Sequence, residues 1–382
     1  ALAGSESGSG PSSTKSTRAA AAVLAGLFCA VEWHRVWASG SGMETMLFIA
    51  LSRGLIEYLF RHIAIRHEAE GPASLRMERT IVSAVGIGLL SGALVLTRPE
   101  GLGLVALVLA GMVLLPRPPA REEVRSRLGA LAVALVGCGL LVGPYIAFNL
   151  EASGSIFPNT FYAKQAEYNL DLPLLQRFWR VLSPTLVGAQ VLLLPGFVYA
   201  AYRVLRQRLW LAALPLAWWF GFLVVYALRL PVNYQHGRYA IPTIPILILY
   251  GVWGTSLLLR PRSPNLLARV ISRATPVAVA LLALYFWVIG AQTYRDDVGF
   301  IEGEMVTTAH WLNEHTAPGD LIAVHDIGAV GHFTERELLD LAGLITPEVI
   351  PFMTDAEKLL DWMLDQKAVY TVFFPDFSPT YE

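Results

Sequence analysis

Residues 80–116 read TIVSAVGIGLLSGALVLTRPEGLGLVALVLAGMVLLP, an apolar run whose only charges are Arg98 and Glu100. It is too long for one membrane crossing, which takes roughly 17 to 25 residues. Pro99 lacks an N–H and disfavours helix at Arg98, so the run divides into crossings near 80–97 and 99–116. Thr97-Arg98-Pro99-Glu100-Gly101 becomes the tip of a tight hairpin. Working outward, similar runs near 19–37, 43–60, 128–148, 181–202, 209–228, 239–259 and 275–293 bring the expectation to about nine crossings.

With 54% hydrophobic and 15% charged residues, the chain is far more apolar than a soluble domain of 382 residues needs to be. Its net charge of −1 conceals a segregation: seventeen Lys and Arg, from Lys15 to Arg273, fall in one set of loops, and seven, from Arg35 to Arg238, in the other. The positive-inside rule makes the first set cytoplasmic, and an odd number of crossings leaves the C-terminal part outside. No basic stripe marks a nucleic-acid partner. Cys29 and Cys138 lie in apolar stretches and read as small hydrophobes. The Ser/Gly-rich lead, residues 1–18, reads as a segment that links or solvates without packing, with a further piece expected upstream.

From about 294 the pattern changes. Glu302 to His315 and Asp355 to Leu364 read as helices, and Leu321 to His325, Glu337 to Leu341 and Val369 to Phe374 as strands. The expected fold is a polytopic α-helical membrane protein, its transmembrane domain over 19–293, with a small exoplasmic α/β domain over 294–382.

The outer loops carry the chemistry. Between Ser155 and Lys164, Asn159, Phe161 and Tyr162 stand beside the lone outer-loop lysine, a set suited to a sugar and a phosphate; an interfacial aromatic belt with a snorkelling lysine has the same pattern. At the hairpin tip, Arg98 and Glu100 suit either a turn-fixing pair or a ligand. Pro231 to Tyr239 gathers His236, Arg238, Tyr234 and Tyr239, able to hold an anionic headgroup or to anchor the interface. Glu44 opens the second span, where the helix dipole favours a carboxylate. Glu32 and His34, near the end of the first span, face a polar cavity or are solvated at the interface. Arg53 and Glu57 read as a local i,i+4 pair. His325 and Asp326 follow a strand end, where α/β sheets present ligand loops, and Gly328 and Gly331 read as turn residues. No cluster has metal-ligand spacing, no Walker loop, nucleophile elbow or dinucleotide fingerprint is present, and no cofactor is expected; a divalent cation finds no ligand set in the sequence.

Taken in order, Ser41-Gly42-Met43-Glu44-Thr45, Arg98-Pro99-Glu100-Gly101, Pro158-Asn159-Thr160-Phe161-Tyr162-Ala163-Lys164 and His236-Gly237-Arg238-Tyr239 resemble the GT-C superfamily of membrane glycosyltransferases. Within it they are similar to the bacterial arabinofuranosyl- and mannosyltransferase-like proteins, whose outer domain His325-Asp326-Ile327-Gly328-Ala329 and Leu339-Asp340-Leu341-Ala342-Gly343-Leu344 also resemble. The resemblance covers nearly the whole chain. It implies inverting transfer of a sugar from a polyprenyl-phosphate donor to a glycan, lipid or protein acceptor, on the outer face of a bacterial plasma (inner) membrane. On that reading Lys164, Arg98, Arg238 and His236 hold the donor phosphate, and Asn159, Phe161, Tyr162, Tyr239, His325 and Asp326 meet sugar or acceptor. Glu100 and Glu44 assist catalysis, while the family's principal base, a carboxylate in the first outer loop, is expected upstream of Ala1. Two rivals stand beside it. A lipid-linked-sugar transporter calls for charges deep in the spans or motifs on both faces, and a non-catalytic membrane binding protein needs neither. The transferase reading turns on Arg98, Lys164 and Arg238 sharing one headgroup.

Overall fold

A computed structural model describes residues 11–67, 73–117, 120–121, 123–168, 172–259 and 261–374; lead residues 1–10 and Arg260 lie outside the described residues. The helices are α1 (Pro11–Val31), α2 (Trp33–Gly40), α3 (Thr45–His67), α4 (Ala73–Thr97), α5 (Gly101–Leu114), α6 (Val124–Ser153), α7 (Asn159–Glu167), α8 (Leu174–Thr185), α9 (Leu194–Arg206), α10 (Trp210–Arg229), a single turn α11 (Tyr234–Gly237), α12 (Ile244–Leu258), α13 (Leu266–Phe300), α14 (Thr307–His315), α15 (Ile327–Phe333) and α16 (Ala356–Asp365). Three strands, β1 (Leu321–Val324), β2 (Glu337–Asp340) and β3 (Tyr370–Val372), complete the set. The chain divides into two compact units, Ala1–Tyr145 with Pro173–Gly290 and Ile146–Leu172 with Ala291–Glu382.

The protein is a helical membrane protein, with fewer full crossings than the hydropathy runs imply. Among the described residues five helical stretches are long and apolar enough to span a bilayer, or seven if two bent pairs each count as one span. α5 has 14 residues, about 21 Å of helix against about 30 Å of hydrocarbon. α3 carries Arg53, Glu57, Arg61 and Arg66 along its length and is not among the five. The run at 19–37 breaks at Glu32, where α1 and α2 meet at 49°, and the run at 181–202 bends by 108° between Leu174–Thr185 and Ala189–Arg206. Glu32 makes the first break: its backbone is extended (φ −64, ψ 125) and its carboxylate accepts from the N–H groups of His34 and Arg35, starting a new helix. Residues 11–18, read as a linker, already belong to α1, which Pro11 opens at a position that needs no N–H.

In the first unit, small residues let backbones touch. A Cβ on Gly254 would clash with the carbonyl oxygen of Gly196, so α9 and α12 pack at a distance only glycine permits. Phe197, Ala200, Val204, Leu247 and Tyr250 fill the seam beside them. The short α5 ends on arginines: Arg66 donates to Met112 O (2.8 Å), and Arg127, 1% exposed, donates to Val113 O (2.5 Å) and Arg117 O (2.9 Å). Two carbonyls that the last turn leaves without helical partners are thereby satisfied. Both arginines read in the sequence only as loop charge.

In the second unit β1 is the centre of a parallel sheet ordered β2-β1-β3, with Leu321 opposite Glu337 and Ile322 opposite Tyr370. One core holds Ala323, Leu339, Leu341, Val349, Leu359 and Met363, with Ala166 of α7 packed on it; another holds Leu312, Ile322, Val324 and Val330. The strands and α16 fall within a few residues of the expected positions. Gly328 and Gly331 do not form a turn: they lie inside α15.

Candidate functional site

The hairpin tip sends its two charges to different partners. α4 closes with Arg98 N donating to Leu94 O (3.2 Å), and Gly101 N, opening α5, donates to Arg98 O (3.0 Å). Arg98 is only 5% exposed; its Nε donates to Glu44 Oε1 at 2.6 Å and its Nη2 to Thr45 Oγ1 at 2.9 Å. The guanidinium lies between the rings of Phe48 (5.7 Å) and Tyr239 (5.6 Å), a position that favours a cation. Glu100 instead accepts from Tyr226 OH at 2.7 Å. The turn-fixing Arg98–Glu100 pair is therefore absent, because the residues on either side of Pro99 leave the tip toward α3 and α10 respectively. Glu44, 46% exposed, serves the ion pair with Arg98 and not the helix dipole alone.

Arg238 reaches the same ring through a strained turn. Gln235 (φ 48), His236 (φ 57) and Gly237 (φ 70) are all left-handed, a backbone that costs roughly 1–3 kcal/mol for each non-glycine residue. The turn presents Arg238 Nη2 to Tyr239 OH (2.9 Å), sets Nη1 against Gln235 and Met43 Sδ (3.4 Å), and holds the guanidinium 4.8 Å from the Tyr239 ring centre. Arg98 and Arg238 thus stand on one tyrosine, 5.6 and 4.8 Å from its ring. Arg98 Nη1, Arg238 Nε and Glu100 Oε2 are buried without a hydrogen-bond partner among the described residues. Leaving a buried polar atom unpaired costs about 1–3 kcal/mol, and these three are among twelve such side-chain atoms in the described residues.

Beside this cluster His236 meets Trp37 and Trp33 edge-on, at 4.9 and 5.7 Å between ring centres. Glu32 and His34, 2% and 1% exposed, form a buried pair at 2.6 Å, which rules out interfacial solvation for both. Their burial follows from the break that turns α2 inward. On α3, Glu57 pairs with Arg61 (2.8 Å) and not with Arg53, the better-placed cation being the one a turn C-terminal.

The second unit holds the other motif residues: Asn159, Phe161, Tyr162, Lys164, His325 and Asp326. The stretch expected as a loop becomes helical at Asn159, after Pro158 in extended conformation, and Phe161 packs on Phe157 (4.7 Å) and Tyr162 (5.3 Å). Lys164 lies in the last turn of α7. At the end of β1, His325 Nε2 stands 3.4 Å from Glu167 Oε1 and Nδ1 3.5 Å from Asp326 Oδ2. Burial opposes charge on the ring, but the bonds and charges of Asp326 and Glu167 outweigh it and push the imidazole up to about 9. His325 is thus an imidazolium tether for α7. Among the described residues no group of three or more His, Cys, Asp or Glu is placed to hold a metal ion.

Residues 290–382 match the family model described as Domain of unknown function (DUF8728), over the same stretch as the α/β part of the second unit. No curated protein and no solved structure matches the chain. The arrangement also enlists residues that the sequence did not single out. Tyr226, in the apolar run of α10, holds Glu100; Glu167, one turn after Lys164, holds His325; Trp33 and Trp37 hold His236. The single tyrosine hydroxyl of an apolar span was the available signal for Tyr226.

Proposed function

We propose that the protein is a GT-C-type membrane glycosyltransferase that takes a sugar from a polyprenyl-phosphate donor and delivers it, with inversion, to a glycan, lipid or protein acceptor on the outer face of a bacterial plasma membrane. The observation that carries the reading is the meeting of Arg98 and Arg238 on Tyr239, each with an N–H that no group among the described residues accepts. In a chain built of apolar helices, the anion brought to such a pair is a lipid-borne phosphate. Cations held at a leaving phosphate stabilise the charge that grows as the glycosidic bond breaks, and preorganised groups of this kind have the greatest leverage on rate. Lys164 lies in the second unit, and its share in phosphate binding rests on the sequence motif alone.

One observation favours a transporter as the second reading: Arg127 and His62 are also buried, away from any expected outer loop. A reconstitution assay separates the two. Proteoliposomes carrying a labelled polyprenyl-phosphate sugar and an envelope acceptor extract should form glycosylated product with wild type, and Arg98→Gln should lower turnover by about 10²- to 10³-fold. Movement of label across the bilayer without product would favour the transporter, and unchanged turnover in Arg98→Gln would remove the phosphate role.

A further inference from the structure

The orphaned atoms around Tyr239 and its stacked neighbour Tyr226 are of two kinds, the donors Arg98 Nη1 and Arg238 Nε beside Tyr239 and the acceptor Glu100 Oε2 beside Tyr226. A bare phosphate answers only the donors and sets its charge against that of Glu100. Glu44 is not a second acceptor in waiting, because it is half exposed and already bound to Arg98. The ligand that completes the set supplies anionic oxygens to the arginines and one hydrogen-bond donor to Glu100.

We propose that Glu100 recognises a hydroxyl of the headgroup beside the phosphate, and that Tyr226 is the positioning residue that aims it. The ligand class is then a hydroxyl-bearing phosphodiester, a glycosyl phosphate, and not a simple phosphomonoester. The proposal rests on the reading of this cluster as a lipid-phosphate site. Charge agrees with it. Arg98 and Arg238 are balanced by Glu44 and Glu100, and a neutral lining accepts a singly charged diester at less electrostatic cost than a doubly charged monoester. Geometry agrees as well. Tyr226 is buried, stacks on Tyr239 with ring centres 5.4 Å apart, and donates to Glu100 Oε1 at 2.7 Å. That bond engages one carboxylate oxygen and leaves the other for the ligand.

The test uses the full chain in nanodiscs and three probes of one chain length: a polyprenyl-phosphate hexose, polyprenyl methyl phosphate and polyprenyl phosphoethanolamine. Wild type should bind the hexose at least about tenfold more tightly than the methyl diester, the effect of one charge-assisted hydrogen bond. Glu100→Gln should compress that ratio to within about threefold, and Tyr226→Phe should compress it part of the way. The readout is the ratio of affinities, which a general loss of folding lowers for both probes alike; if Glu100→Gln does not assemble, Tyr226→Phe carries the test. Equal binding of hexose and methyl diester by wild type, or a ratio indifferent to both variants, overturns the proposal. Tighter binding of the phosphoethanolamine overturns it too, by making Glu100 an ammonium acceptor. The underlying reading fails separately, when no probe binds wild type or when Arg98→Gln weakens none of them.

Discussion

Raising the pH from 6 to 9.5 should loosen α7 from the sheet of the second unit. His325 is held between Glu167 at 3.4 Å and Asp326 at 3.5 Å, with its side chain 15% exposed, and titrates at about 9. Raising an imidazole from its ordinary value near 6.5 to about 9 corresponds to roughly 3 kcal/mol of differential interaction. His325 itself is little exposed but Asp326 is 44% exposed, so solvent screens part of this and roughly 3 kcal/mol is an upper figure. The folded-state value lies above the unfolded one, so the contribution is complete below about pH 6.5 and disappears as the pH climbs through about 9. Hydrogen exchange of the β1 and α7 amides in nanodiscs, corrected for intrinsic rates, should lose up to about 3 kcal/mol of protection over that window. Glu167→Gln removes one of the two carboxylates and should flatten the loss by about half. Protection that stays level in wild type, or a Glu167→Gln profile that overlays it, would refute the tether.

Two further substitutions probe the scaffold. Gly254→Ala puts a methyl against the Gly196 carbonyl, where only backbone movement relieves the clash; overpacking of this kind costs about 1–3 kcal/mol or more, read as a lower melting temperature in detergent. Asp340, fully buried, accepts from Ala342 N (2.9 Å) and Ile345 N (2.7 Å), so Asp340→Ala leaves one buried and one part-buried donor unpaired. It should destabilise the second unit by about 1–3 kcal/mol, with faster exchange confined first to residues 341–345.

Apolar runs were legible because a lipid-facing helix asks little of a sequence beyond composition, but among the described residues only five to seven helical stretches qualify as spans where nine were expected. What hydropathy averages conceal is where a helix stops. The break at Glu32 depends on one carboxylate folding back onto two N–H groups, and the shortness of α5 depends on Arg66 and Arg127 reaching its last carbonyls. In the second unit the three strands were legible from their short apolar runs, whereas α7 was hidden behind Pro158 and Asn159, residues that equally begin loops and helices. Motif residues of the site were visible as types but not as pairs. Arg98 meets Glu44 across 54 positions and Glu100 meets Tyr226 across 126, and no spacing rule reaches that far.

The central claim is that Arg98 and Arg238 hold one phosphate between them, and a double-mutant cycle addresses it directly. Affinity for a polyprenyl-phosphate sugar would be measured in nanodiscs for wild type, Arg98→Gln, Arg238→Gln and the double variant, at fixed salt. Shared contact with one headgroup predicts losses that fall short of additivity by about 1 kcal/mol or more. Fully additive losses, or a single variant that binds as wild type does, would contradict the account.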